Sequence, residues 1–197
     1  MIVYVLAIVF GYLIGSIPFG LVLTRLCGLG DIRKIGSGNI GATNVYRTVG
    51  HKWGFLAFFC DFLKGFLPTF AATRFLDADW PVAVGLACVV GHTLTPYMKF
   101  KGGKGVATAF GMLMALVPAL VGVAFALFVV VVWLSHYISL GSCLAAAFLG
   151  VMIWIPTPLA RAGLTLQIVM TLLAVFVIWK HRSNIARLCS GTENKIY

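Results

Sequence analysis

Long apolar runs alternate along this chain with short polar connectors that are rich in glycine and basic residues. The runs are of membrane length. A helix needs about 20 apolar residues to cross a hydrocarbon core of about 30 Å. By that measure the first span is predicted at about 2–25, the second at about 53–75 and the third at about 80–98. The run from Gly105 to Leu134 carries no charge. As one helix at about 1.5 Å per residue it would be roughly 45 Å long, too long for one crossing. Pro118 lies inside it. Two helices, about 105–117 and 119–137, fit better, the first of them short. The last two spans are predicted at about 141–159 and 162–180, with Ser142 as an N-cap at a helix start.

Charge decides between six and seven spans. With seven, Arg25, Arg33, Lys34, Arg47 and Lys52 share one side with Lys99, Lys101 and Lys104 and with Lys180, Arg182, Arg187 and Lys195. The other side keeps Arg74, Asp77, Asp79 and Arg161. With six, the C-terminal basic cluster falls opposite the other two. Basic loops favour the cytoplasm. The expectation is therefore an all-α, polytopic protein of seven transmembrane helices, N-terminus outside and C-terminus cytoplasmic, forming a single membrane-embedded domain over 1–197. The first span lacks a basic n-region and a small-residue cleavage site, so it reads as a retained helix. Residues 30–52, 99–104, the Ser139–Ser142 connector and the tail from Lys180 then all lie on the cytoplasmic side.

Composition agrees. Apolar residues make up 61% of the 197 and charged residues 10%, against about 45–50% and about 25% in soluble domains. The net charge of +10 comes from 15 Lys and Arg against 5 Asp and Glu. Nucleic acid is not the partner this implies, because the basic residues sit beside apolar spans, where the positive-inside rule and anionic lipid or substrate account for them. The five cysteines, Cys27, Cys60, Cys88, Cys143 and Cys189, form no C-x-x-C pair and read as small buried hydrophobes.

One connector is chemically unusual. It runs Gly36-Ser37-Gly38-Asn39-Ile40-Gly41-Ala42-Thr43-Asn44-Val45-Tyr46-Arg47. Glycines let backbone N–H groups approach an anion, Ser, Thr and Asn add neutral donors, and Arg supplies a charged fork. The run contains G-x-G-x-x-G, but its flanks are spans rather than the strand and helix of a βαβ unit, which sets the dinucleotide reading aside. A second segment runs from Gly91-His92 to Lys99, Lys101, Gly102, Gly103, Lys104 and Gly105. It lacks the first Gly of a P-loop, since Met98 stands there. Lys99 and Lys101 read as interfacial anchors, whereas Lys104, between glycines at the opening of the fourth helix, reads as functional. A third segment holds His181, Arg182, Asn184, Arg187 and Glu193, the only Glu of the chain. Its bland reading is a basic helix on lipid headgroups. Glu193 is expected to orient His181 or an Arg, or to hold the tail. Asp61 and Lys64, three apart inside the second span, read as a structural ion pair. His136 reads as interfacial.

Absences narrow the chemistry. No His is followed five positions on by Asp: Leu56, Tyr97, Gly141 and Ala186 stand there. G-x-S-x-G and H-E-x-x-H are missing, and no metal cage is apparent. What remains is a cationic, donor-rich site for phosphates in a protein able to receive lipid. A transporter of small organic phosphates would use similar loops, but the polar segments fall on one face without matched breaks in two halves. A structural protein binding anionic lipid would leave the Gly36–Arg47 run unexplained.

The run from Ser37 to Arg47, the stretch from Gly91-His92 to Lys104-Gly105-Val106-Ala107-Thr108, and the tail with His181-Arg182, Asn184-Ile185, Arg187-Leu188 and Glu193 together resemble the bacterial acyl-phosphate-dependent glycerol-3-phosphate acyltransferases, the PlsY family. The resemblance covers essentially the whole chain. It implies seven spans, no separate cofactor, no metal, and a place in the bacterial cytoplasmic (inner) membrane with the active site facing the cytoplasm. It also implies acyl transfer from acyl phosphate to the 1-hydroxyl of sn-glycerol 3-phosphate in phospholipid synthesis. On that resemblance Arg47 and Lys104 clamp the glycerol phosphate, with Ser37 as a donor and His181 nearby. Thr43, Gly102, Gly103, Ser142 and Asn184 cradle the acyl phosphate. Asn39 positions an oxygen, Glu193 orients a cation, and Gly38, Gly41 and Asn44 complete the substrate-binding set. The general base is His181 or the substrate's own phosphate. The expected partners are the two substrates and membrane lipid, with no nucleic acid, and the expected state is a monomer.

Overall fold

Ten α-helices and two short 3-10 turns make up the computed structural model, which describes residues 1–160 and 162–196. Arg161, expected on the side opposite the basic clusters, lies outside the described residues. Among the described residues there is no sheet, only an isolated bridge between Thr157 and Ala160. The chain divides into two compact units, Met1–Leu116 and the part from Val117 onward.

The first unit begins with α1 (Ile2–Gly15) and α2 (Phe19–Leu26). Sequence reading predicts one helix over 2–25, and the structure corrects this to two. The cause is Pro18, which has no N–H and disfavours the α conformation in the residue before it. The break at Ser16–Pro18 leaves carbonyls without helical partners, and side chains from elsewhere supply them. Lys64 Nζ donates to the Ile17 carbonyl at 2.7 Å, and Thr95 Oγ1 donates to the Ser16 carbonyl at 2.7 Å. Lys64 is in turn paired with Asp61 at 2.7 Å, and both side chains are almost wholly buried. The structural pair expected on the second span is therefore present, with a further task at the α1–α2 break.

Next come α3 (Ala42–Thr48), α4 (His51–Phe75) and α5 (Trp80–Thr93). The third span is shorter as a helix than predicted: α5 ends at Thr93, because Thr95 precedes Pro96 and is extended, with ψ 128°. Pro68 is accommodated inside α4. The short helix α6 (Val106–Leu116) matches expectation closely but begins two residues after Lys104 instead of at it.

Helix packing in this unit relies on glycines at backbone crossings. A methyl on Gly15 would lie 2.2 Å from the Cys88 carbonyl oxygen, where α1 meets α5. A methyl on Gly65 would lie 2.1 Å from the Thr108 carbonyl oxygen, where α4 meets α6. Lipid is as apolar as a core side chain, so close backbone packing takes the place of hydrophobic drive.

The second unit holds α7 (Pro118–Ser135), α8 (Ile138–Met152), α9 (Leu164–Lys180) and α10 (Arg182–Cys189), with α8 packed on α7 and α9. The break before Pro118 is where the sequence places it. α8 starts three residues earlier than predicted, so Ser142 is no N-cap: Tyr137 holds that position, and the Ser142 hydroxyl donates to the Ile138 carbonyl at 2.9 Å. His136 ends α7 in the left-handed conformation, φ 64°. α9 and α10 meet at a 54° bend.

Among the described residues four helical segments are long and apolar enough to cross a membrane, Ile2–Leu26, His51–Phe75, Trp80–Met98 and Pro118–Ser135, and the bent α9–α10 pair makes a fifth. The apolar helices α6 and α8 are shorter, at 11 and 15 residues.

The packing makes a prediction about the glycines. Gly15→Ala or Gly65→Ala should each cost about 1–3 kcal/mol, the range for overfilling a packed site. Gly122→Ala on α7, whose new methyl meets nothing within 4 Å, should be neutral or gain up to about 1 kcal/mol. Thermal denaturation of the detergent-solubilised protein measures all three. Equal shifts at the three positions would contradict the packing argument.

Candidate active site

Two polar constellations emerge, one in each unit. In the first unit the Gly36–Arg47 segment folds around one side chain. Asn44 is buried, and its amide ties the loop together. Its Oδ1 accepts from the Ser37 N–H at 2.9 Å, and its Nδ2 reaches the carbonyls of Asn39 at 2.9 Å, Ile35 at 3.0 Å and Ile32 at 3.3 Å. Asn39 Oδ1 accepts from the Gly41 N–H at 2.8 Å, a local turn within the larger one. Gly36 and Gly38 have φ of 60° and 70°, where other residues are strained. A side chain on Gly36 would also collide with Asn44 Oδ1, 2.3 Å from the new methyl. The glycines are thus needed for the path of the chain, and Asn44 for its shape.

Beneath this loop a small core of Leu21, Leu23, Ile32, Ile40, Val45, Ala57 and Met98 anchors it. Ser37 and Gly38 are exposed on its outer side, while Thr43 and Arg47 are half-buried. Asp31 caps the turn Ile32–Lys34 and grips Arg33 through both carboxylate oxygens. The hydrogen bonds from Arg33 hold the Asp31 carboxyl well below the usual carboxylate range.

The Lys99–Gly105 segment lies against the end of α5. The Gly102 N–H donates to the Thr93 carbonyl at 3.0 Å, and the Gly103 N–H to the His92 carbonyl at 3.1 Å. A methyl on Gly103 would lie 2.2 Å from His92 Nε2, and one on Gly102 would lie 2.0 Å from the His92 carbonyl oxygen. These glycines provide close approach, and their backbone donors are already engaged with α5. Lys104 is half-buried, and Lys99 and Lys101 are exposed, as anchors would be.

The second unit's constellation centres on Glu193, which is buried. Its Oε1 accepts from Asn184 Nδ2 at 2.7 Å and from the Ser139 hydroxyl at 2.9 Å, and its Oε2 accepts from Arg187 Nε at 2.7 Å. Of the roles expected for Glu193, the carboxylate fills two, gripping an Arg and holding the tail against α8 and α10. Ile196 N–H adds a bond to the His136 carbonyl at 2.9 Å. Burial pushes the Glu193 carboxyl up, but the bonds from Asn184, Arg187 and Ser139 outweigh it, and the group titrates below its ordinary value. His181 sits at the α9–α10 bend and is buried. Its Nδ1 is 2.8 Å from the Val177 carbonyl, so Nδ1 carries the proton and the lone pair of the neutral ring falls on Nε2.

The sequence reading expects an Arg beside Glu193, which proves to be Arg187, but misses Ser139 and Asn184 as its partners, and His92 and Thr95 as supports in the first unit. The lone Glu in a basic tail is the signal that pointed toward Arg187. Nothing in the sequence marks Ser139.

These features define a helical membrane protein that presents glycine-shaped, cationic polar segments between apolar helices. The family model described as glycerol-3-phosphate acyltransferase matches residues 5–191. The glycerol-3-phosphate acyltransferase of Geobacter sulfurreducens is 49% identical, over 93% of this chain and 93% of its own length. That of Sinorhizobium medicae is 48% identical, over 96% of this chain and 90% of its own. Among solved structures, the crystal structure of PlsY, an integral membrane glycerol 3-phosphate acyltransferase, in its glycerol 3-phosphate form superposes with a TM-score of 0.91 at 38% identity, covering 98% of this chain and 94% of that one. Its lysophosphatidic acid form gives a TM-score of 0.88 at 36% identity. The chain belongs to the glycerol-3-phosphate acyltransferase family, and it is an integral membrane acyltransferase of the PlsY type.

The Glu193 geometry carries a pH prediction. A carboxyl whose folded pKa is lowered stabilises the fold fully above its ordinary value of 4.5, and that stability is lost as pH falls below it. Glu193→Gln replaces one acceptor oxygen by an amide NH2 that faces donors and should loosen the tail by about 1.5–3 kcal/mol. Hydrogen exchange over 182–196 should therefore be faster in Glu193→Gln than in the parent at pH 7. The difference should shrink as pH drops below 4.5. A difference that is constant with pH would refute the ionised-carboxylate account.

Proposed function

We propose that this acyltransferase moves an acyl group from an acyl phosphate to the 1-hydroxyl of sn-glycerol 3-phosphate, giving 1-acylglycerol 3-phosphate and inorganic phosphate. The observation that carries this reading is the Gly36–Arg47 loop, a turn shaped by Asn44 with Ser37 and Gly38 exposed and Arg47 at its end. An apolar membrane protein has little use for such a loop unless it handles a polar, anionic molecule. Both proposed substrates carry a phosphate, and one carries a chain that the bilayer can deliver.

In this reading Arg47 and Lys104 bind the glycerol phosphate, with Ser37 as a hydroxyl donor. Thr43, Ser142 and Asn184 serve the acyl phosphate. Gly38, Asn39, Gly41, Asn44, Gly102 and Gly103 act by shaping the segments, and Glu193 by fixing Asn184 and Arg187. Acyl phosphate is a mixed anhydride with a good leaving group, so the hydroxyl attacks the carbonyl carbon directly. The new ester bond forms as the carbonyl-to-phosphate oxygen bond breaks, and cationic donors stabilise the departing phosphate. The hydroxyl proton passes to His181 or to a substrate phosphate.

We also propose seven crossings, with the N-terminus outside and the C-terminus and active site at the cytoplasmic face of the bacterial inner membrane. Seven apolar helical segments support this: α1 with α2, then α4, α5, α6, α7, α8 and α9. The distribution of Lys and Arg supports the orientation. Arg182 lies over the Trp179 ring at 4.6 Å, a pairing typical of the membrane interface. The family match runs across both units, which supports a single functional domain. The partners in this reading are the two substrates and bilayer lipid, without nucleic acid, and the enzyme works as a monomer.

The test is acyl transfer by purified protein given labelled glycerol 3-phosphate with either a long-chain acyl phosphate or the matching acyl-CoA. Lysophosphatidic acid should form with acyl phosphate alone. Arg47→Ala, folded by its melting curve, should lose about 100-fold or more of that activity. Product from acyl-CoA alone would overturn the donor assignment. Full activity in Arg47→Ala would overturn the site.

A further inference from the structure

Buried ionisable groups lie in the first unit outside the site just described. Asp61 and Lys64 form an ion pair at 2.7 Å, and His92 Nδ1 stands 3.6 Å from the same Asp61 oxygen. All three side chains are 5% exposed or less. Charges at this depth are expensive, and a buried pair adds little net stability over apolar packing. What the trio does provide is position. Asp61 stands against one edge of the His92 ring, its Oδ1 3.6 Å from Nδ1. The other edge, Nε2, abuts Gly103 so closely that a single methyl there would come within 2.2 Å. The backbone of the same segment hangs from the end of α5 through Gly102 to Thr93 and Gly103 to the His92 carbonyl. Lys104 is the next residue.

We propose that His92, seated beside Asp61, is a positioning residue for acyl transfer: its ring is the stop against which Gly102–Gly103 rests, and this sets where Lys104 meets the phosphate of glycerol 3-phosphate. The inference rests on the role assigned to Lys104 above. It gives His92 no contact with substrate. The expected consequence is selective. Disturbing the stop shifts one phosphate-binding group, so binding of glycerol 3-phosphate suffers while binding of the acyl donor does not.

The experiment measures KM for glycerol 3-phosphate and for a long-chain acyl phosphate in His92→Ala, Gly103→Ala, the double variant and Lys104→Ala, each checked by its melting temperature. His92→Ala and Gly103→Ala should each raise KM for glycerol 3-phosphate about tenfold, with the acyl phosphate KM within twofold. In the double variant the added methyl no longer meets the ring. Its KM should therefore match His92→Ala alone instead of multiplying the two effects. Unchanged KM in both single variants, equal effects on both substrates, multiplicative effects in the double variant, or loss of folded protein in all three would overturn the proposal. Lys104→Ala separates the two layers. If it leaves KM for glycerol 3-phosphate unchanged, the role of Lys104 fails. If it raises that KM while the His92 and Gly103 variants do not, only the positioning role fails.

Discussion

The Lys64 ammonium is the group on which the first unit turns. Pro18 forces a break between α1 and α2, and a break in an apolar medium exposes carbonyls that have no water to bind. Lys64 meets one of them at Ile17, and Thr95 meets the next at Ser16. A lone ammonium at that depth would be intolerable, so Asp61 neutralises it one helical turn away. The arrangement costs charge desolvation, yet removing either partner would leave the other bare, at about 3–5 kcal/mol. Three stretches of chain thus meet at one charged pair, the α1–α2 break, α4 and the end of α5, and the Thr95 turn beyond α5 ties in at the same break through Ser16.

The same economy recurs in the second unit with opposite polarity. There the buried group is a carboxylate, and its three donors come from α8 and α10. A chain of so few acids uses one to seat a lysine and another to seat its tail. In each case a single acid organises groups far apart in sequence: Asp61 reaches His92, and Glu193 reaches Ser139.

How much of this was legible in the sequence depends on the range of the interaction. The helices followed from apolar run length, and the short α6 followed from Pro118 and charge parity. The Asp61–Lys64 pair followed from helical spacing and the cost of charge in lipid. The α1–α2 break was missed although Pro18 was visible, because apolar composition carried through Ser16 and Ile17 without interruption. Ser142 was placed at a helix start because the connector looked polar, whereas Ser139 and Ser142 both lie within the first turns of α8, where Ser142 binds the Ile138 carbonyl and Ser139 reaches Glu193. The Gly36–Arg47 and Lys99–Gly105 segments fell between helices as expected, whereas Ser139–Ser142 lies within α8. The internal wiring of these segments was not legible: that Asn44 would fold its loop, or that Gly102 and Gly103 would press on His92, depends on contacts that no local pattern encodes.

The glycines show why a composition-based reading identifies such a site yet misassigns its parts. Glycine beside polar residues suggests backbone donors free for an anion. In this fold Gly36 and Gly38 are there for left-handed φ, and Gly102 and Gly103 for van der Waals contact with α5. A phosphate site in a membrane protein has to be both polar and immobile, and the bilayer offers no water to satisfy whatever the site leaves unpaired. Here the glycines and the Asn39 and Asn44 amides are committed to building the loops, as the proposed site would require. Arg47 stands at the end of one segment and Lys104 near the end of the other, where the proposed reading has them meet the phosphate. In that reading rigidity comes from the backbone, and affinity for the anion from the two cations.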